Sequence, residues 1–433
     1  MSAFDIRSQW LQTTENAASE LAATLARLQI FVGKRNITEH KTPRSKKTET
    51  ALEVPTYYLA EWLAENWWVL LFEPRKDEDS DDSEYFTRHS IIAAQGGFPL
   101  PDLSIVPVGR GFHLNSSPRA APFANIRFTT DVFADVPRDV VEQALREFVD
   151  DTVKRLSTCG VTHTDLQDVW NEIASLTDEE RGFCELVGSL GLCPGDVTSD
   201  LGDAIERIYN LLGPRATRDF CLAATGQMVE ASVRSTEIVH QHLQEAPDTA
   251  LERLLDVQLP PENYHAPSWR RGKRAAQNVR EKFGIDIKDP RGADIVFERL
   301  QLDTSRQTHV PTNNNFTPPF TGAIDRHEGT AKVALLQPDE LRRRFSAGRA
   351  AYLGWVSEAQ SRRLVTNAVT RDQQASRSFA AEILIPQAYL KSLAGPKGEL
   401  HDYQVREAAR SRRVMPEVAF KQAYNAGIRV GAI

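Results

Sequence analysis

Apolar residues recur at helical spacing through "DVVEQALREFVDDTVKRL", with Val141, Leu145, Phe148 and Val149 on one face, so this stretch predicts an amphipathic helix. "SQWLQTTENAASELAATLARLQI" reads as helical on the same ground, and "PTYYLAEWLAENWWVLLFE" is aromatic and strongly apolar. "ANIRFTTDVFADV" alternates in the manner of a strand. Together these segments predict a mixed α/β domain over residues 1–158. Within it the basic "KTPRSKKTET" and the acidic "PRKDEDSDDSEYF" read as solvated loops.

Residues 159–258 read as a helical region. "DLQDVWNEIASL", "DEERGFCELVGSLGL", "DLGDAIERIYNLLG", "TRDFCLAATGQMVEASVRSTEIVHQHL" and "DTALERLLDV" are separated by Gly, Pro, Ser and Asp. "QLPPENYHAPSW" follows as a linker before the basic helix "RRGKRAAQNVREKFGI". From residue 268 onward come a short helix in "DPRGADIVFERLQL", a loop in "HVPTNNNFTPPFTG" and a strand pair in "GAIDRHEGTAKVALLQP" with its turn at "HEGT". Two helices, "DELRRRFSAGRAAYLGWV" and "DQQASRSFAAEILIP", precede a final pair, "YQVREAARSRR" and "PEVAFKQAYNAGI". No internal repeat emerges. The fold class expected is α+β.

A length of 433 residues is too great for one ordinary core, and the 41% hydrophobic and 26% charged fractions are those of a globular chain. The net charge of -7 argues against wholesale coating of nucleic acid but leaves room for a local basic patch. Two basic clusters stand out, "WRRGKR" (Trp269–Arg274) and "RSRR" (Arg410–Arg413), and both read first as solvated faces. Neither a leader peptide nor a membrane-spanning run is expected, and a cytoplasmic location is. Cys159, Cys184, Cys193 and Cys221 lack zinc-like spacing and read as buried free thiols. The histidines are isolated in sequence apart from His240 and His242, which point to different sides of a helix, and His327, at a hairpin tip. "VGRG" (Val108–Gly111) lacks the length and the Lys-Ser/Thr of a phosphate loop.

The order of elements after residue 268, and above all the run "FAAEILIP" (Phe379–Pro386), resembles the ImmA/IrrE family of zinc metallopeptidases. That family typically carries an "FAAELLMP"-like run, is similar to the gluzincins and cleaves helix-turn-helix repressors. The resemblance covers residues 268–433 and implies a mainly helical, gluzincin-like domain with a small sheet. It also implies a metal site in which an HExxH helix supplies two histidines and a general base. A third ligand would come from the helix that ends in the "FAAELL" run. Here the string at the HExxH position is "RAAYL", so Arg349 and Leu353 stand at the histidine positions and Ala350 at that of the base. Near the third ligand the carboxylates are Asp372 and Glu382. No metal or other cofactor is therefore expected.

Leu341, Phe345, Gly348, Tyr352 and Trp355 or Val356 form one apolar stripe on the same helix, with small residues that allow close approach by another element. Arg349 could then serve either as part of a packed helix or as a fixed cation for Asp372 or Glu382. The function expected is that of a catalytically degenerate pseudopeptidase, a regulatory or scaffold protein in stress, mobile-element or defence regulation. A protein partner such as a helix-turn-helix regulator follows from the resemblance, and nucleic acid is left as a minor option through Arg410, Arg412 and Arg413. The alternatives are an active metallopeptidase and an enzyme whose site lies in residues 1–158.

Overall fold

The computed structural model describes residues 3–12, 18–42, 47–76, 83–109, 111–263, 266–309 and 317–431. The centres of both charged loops, Arg110 of "VGRG", His265 and the Asn-rich stretch at 310–316 lie outside the described residues. The chain is α+β and divides into two compact units, Met1–Val197 and Thr198–Ile433, so the helical region at 159–258 contributes to both.

In the first unit, β1 (Phe4–Trp10) and β2 (Leu25–Val32) pair antiparallel over their whole length. The opposite edge of β2 takes β3 (Arg35–Asn36) and β4 (Leu52–Pro55). The helix expected across residues 8–30 is thus two strands joined by a single helical turn, Ser19–Ala23. Its residues Ala26, Leu28, Ile30 and Val32 alternate into the core with period two. Helices α1 (Tyr57–Glu65) and α2 (Trp67–Phe72) bury most of the aromatic run. A second antiparallel sheet, in the order β7 (Val132–Pro137), β6 (Gly111–Ser117) and β5 (Asp102–Val108), contains the second half of the alternating segment, whose first half, Ile126–Phe128, pairs in a separate small sheet. Then α3 (Arg138–Thr158) buries Val141, Leu145, Phe148 and Val149 as its pattern requires. The unit ends with α4 (Asp165–Ser175) and α5 (Asp178–Ser189), the latter opened by a reciprocal Thr177–Glu180 capping box. The four thiols are free; Cys184 and Cys221 are buried, but Cys159 is exposed and Cys193 half-buried.

The second unit opens with three helices, α6 (Ser199–Leu212), α7 (Pro214–Cys221) and α8 (Val229–Glu245). The basic helix α9 (Ser268–Lys282) stops at Gly284, whose φ of +63° suits a residue without a side chain. After α10 (Gly292–Arg299) come β8 (Phe320–Arg326) and β9 (Ala331–Leu335), the expected hairpin. Helix α11 (Glu340–Val356) leads into a strand that sequence reading did not anticipate, β10 (Ser361–Thr366), which pairs with the free edge of β8. Helix α12 (Arg371–Leu384) ends in the "FAAEILIP" run, and α13 (Gln387–Ala394), α14 (Asp402–Ser411) and α15 (Pro416–Asn425) complete the unit.

Helix α11 is buried from Arg343 to Trp355 apart from Phe345, rather than along one stripe. Such a helix must present small residues where neighbours approach, and it does. A Cβ on Gly348 would lie 3.0 Å from the Cβ of Ala380 on α12, and one on Gly354 would lie 2.5 Å from Ile324 of β8. Tyr352 and Trp355 close the α11–α12 contact against Phe379, with ring centroids at 5.3 and 6.2 Å.

Candidate functional site

The face of α11 against α12 and β10 is where the resemblance places a metal, and in this chain it holds a buried polar network. Arg349 projects from α11 with 3% of its surface exposed. Its Nε donates to Ser376 Oγ (3.1 Å) and its Nη2 to Gln373 Oε1 (2.8 Å) and to the Thr366 carbonyl. Gln373 is held in turn: Thr366 N donates to its Oε1 (3.2 Å), and its Nε2 donates to Leu364 O (2.7 Å). The amide therefore bridges the end of β10 to the guanidinium. Burial, together with repulsion from Arg377, lowers the Arg349 pKa from the ordinary arginine value to about 9, and Asp219 acts against that shift.

The ion pairs expected between Arg349 and Asp372 or Glu382 are not made. Asp372 accepts from Arg363 Nη1 of β10 (3.2 Å). Arg363 also makes a bidentate pair with Asp219 of α7, at 2.7 and 3.1 Å, and Leu364 N donates to the same carboxylate (3.1 Å). Burial opposes the Arg363 charge, but Asp219 and Asp372 outweigh it and hold its pKa above the ordinary arginine value.

Glu382 forms a separate cluster. Its Oε2 accepts from Gln387 N (3.1 Å) and Gln422 Nε2 (3.1 Å), and its Oε1 accepts from Gln277 Nε2 (3.4 Å). The Gln387 amide opens α13, so the carboxylate satisfies a donor that the helix itself leaves unpaired and lies at the positive end of its dipole. Arg280 lies close enough to feel this charge. Burial and Arg412 push its pKa down to about 10, while Glu382 pulls the other way. Its guanidinium donates to Ile383 O (3.0 Å) and Asp286 O (2.8 Å).

These contacts decide what the constellation can do. Arg349, Ala350 and Leu353 offer no atom that ligates a divalent cation, and Asp372 and Glu382 are each committed to other donors. Among the described residues no group of three His, Cys, Asp or Glu side chains is placed to hold a metal ion. The residues present do not fit a zinc centre, and no metal-dependent step is derived from them. A surface groove of about 570 Å³, bordered by Tyr389, Tyr403, Arg406 and Arg410, includes none of the network residues.

Sequence reading missed Asp219, Arg363 and Gln373. Asp219 lies 144 positions before its partner, and no local pattern links them. In the first unit it also missed a trio at the end of α2 in which Glu73 and His89 are buried and Arg88 is half-buried. Glu73 there accepts from Arg88 through both oxygens (2.9 and 3.1 Å), and His89 lies between Glu73 Oε2 (3.1 Å) and Ile105 O (3.0 Å). Tyr85 stacks on the imidazole at 3.9 Å. Every polar atom of that histidine and carboxylate is engaged by the protein, which is the arrangement of a structural clamp.

Compared with models of protein families, with curated proteins and with solved structures, the chain matches none. No helix among the described residues is long and apolar enough to cross a membrane.

Proposed function

We propose that the chain is a catalytically degenerate, ImmA/IrrE-like pseudopeptidase that works as a regulatory or scaffold protein by binding another protein. The observation that carries this reading is the Arg349 network. Where the resembled family needs two imidazoles and a water-activating glutamate, this chain has a guanidinium tied to Ser376, Gln373 and Thr366. A fixed cation at that place repels a second one, so the substitution removes the ligands and also opposes the ion. The partner inferred from the resemblance is a helix-turn-helix regulator, in a cytoplasmic stress, mobile-element or defence response.

The test is elemental analysis of the purified chain, followed by incubation with helix-turn-helix repressors with and without added zinc. Less than stoichiometric zinc and intact repressors are expected. One zinc per chain, removable by chelator with loss of repressor cleavage, would overturn the reading in favour of an active metallopeptidase.

A further inference from the structure

Helix α9 carries six basic residues against one acidic residue, on a chain whose net charge is -7. Two of the six are engaged within the fold: Arg271 pairs with Glu262, and Arg280 is buried against backbone carbonyls. Arg270 and Arg274 are exposed and have no ion-pair partner among the described residues. Lys273 reaches only a neutral acceptor, Gln387 Oε1, at 2.6 Å. Spacings of three and four place Arg270, Lys273 and Arg274 on one helical face. At its start stands Trp269, 44% exposed, with the Arg270 guanidinium 5.4 Å from its ring centre.

α9 approaches α12 so closely that a Cβ on Gly272 would lie 1.9 Å from the Ala375 carbonyl oxygen. That approach sets α9 beside Arg371 and Arg377. Arg371 and Arg271 both pair with Glu262, and Arg377 donates to Ala368 O. The arginines of "RSRR" are differently placed. Arg412 is buried, Arg410 pairs with Glu407, and Arg413 pairs with Glu340 and Asp294.

We infer that the α9 face formed by Trp269, Arg270, Lys273 and Arg274 binds single-stranded nucleic acid. The three cations follow backbone phosphates, and the indole stacks on an unpaired base. A duplex keeps its bases stacked and offers the indole nothing, and an acidic peptide would satisfy the cations but leave the indole unused. The inference stands apart from the pseudopeptidase reading, because no residue of this face belongs to the Arg349 network.

The test is fluorescence anisotropy on the full chain with a labelled oligothymidylate, a labelled duplex and a labelled polyglutamate peptide. The oligothymidylate is expected to bind, with a log–log salt slope of about -2 for three phosphate contacts. Trp269→Ala should weaken it about tenfold, and the double variant R270E/R274E should abolish it. Both sets of positions are exposed, so unchanged circular dichroism will confirm folding. Absence of binding at low salt, or binding indifferent to these substitutions, would overturn the inference. Equal binding of polyglutamate with no effect of Trp269→Ala would overturn it in favour of an acidic protein partner.

Discussion

At Arg349 a permanent cation is buried among neutral acceptors, and its lowered pKa states the cost. Burial, with Arg377 adding to it, pulls the guanidinium down to about 9, so its surroundings disfavour the charged form. Hydrogen bonds to Ser376, Gln373 and Thr366 offset it, so the group is tolerable only while all three acceptors stay in place. Arg349→Met should take one donor from the Thr366 carbonyl, from Ser376 Oγ and from Gln373 Oε1, which keeps Thr366 N, and lower unfolding free energy by about 2–4 kcal/mol. Paired with Gln373→Leu in a double-mutant cycle, it should show coupling of about 1–3 kcal/mol. With Glu382→Gln it should be additive to within about 0.5 kcal/mol. Glu382 lies nine residues, about two and a half turns, further along α12 than Gln373 and shares no partner with Arg349. Coupling to Glu382 instead would restore the ion pair expected from the sequence. Asp219 presents the opposite case, a buried carboxylate that anchors Arg363 and the β10 backbone. Asp219→Asn, followed by denaturant unfolding, should cost about 3–5 kcal/mol, because Arg363 is then left with Asp372 alone.

Helix α9 approaches α12 closely at Gly272, and the contact there is with backbone rather than a movable side chain. Gly272→Ala should force the two helices apart and lower stability by about 1–3 kcal/mol, despite alanine's better helix propensity. Gly182, inside α5, has nothing within 4 Å of a built Cβ. Gly182→Ala should therefore raise stability by about 0.5–1 kcal/mol. Melting curves of the two variants check both signs, and a stable Gly272→Ala would mean that α9 does not pack tightly against α12 at this point. The same elements mark where sequence reading succeeded. α3 was legible because its apolar face is a local, 3.6-residue pattern over 21 residues. The pair β1–β2 was not, since Leu11, Leu21, Leu25 and Leu28 mimic helical spacing and what selects the strands is pairing across a distant register. Strand β10 escaped notice for a related reason. "SRRLVT" looks too charged for a sheet, yet Arg362 and Arg363 are matched by Asp325 and Asp219 from elsewhere in the chain. The position of Arg349 on the buried helix was readable; its partners were not, because they depend on where α12 and β10 meet it.

Across the whole molecule, the two units carry titrating groups with pKa values displaced downward from different starting points. In the second unit, burial and then Arg306 hold the His242 imidazole below its usual 6.5, with Glu245 opposing. The unfolded chain therefore takes up this proton more readily than the folded one. The contribution of His242 to stability is complete above pH 6.5, falls as pH drops toward the folded value, and is constant below it. In the first unit, burial alone would raise Glu73, but hydrogen bonds and charge from His89 and Arg88 prevail and hold it below its usual 4.5. Its contribution is complete above about pH 4.5 and is lost as pH falls through the folded value. Of these two groups, acid should therefore act on His242 first and on Glu73 later. His242→Asn should remove the step that begins below pH 6.5 and leave the later one. Glu73→Gln should lower stability at neutral pH, because Arg88 loses its counter-charge, and should flatten the later step. Denaturant unfolding across the acid range measures both slopes. A first step of unchanged size in His242→Asn would show that the early loss of stability belongs to another group.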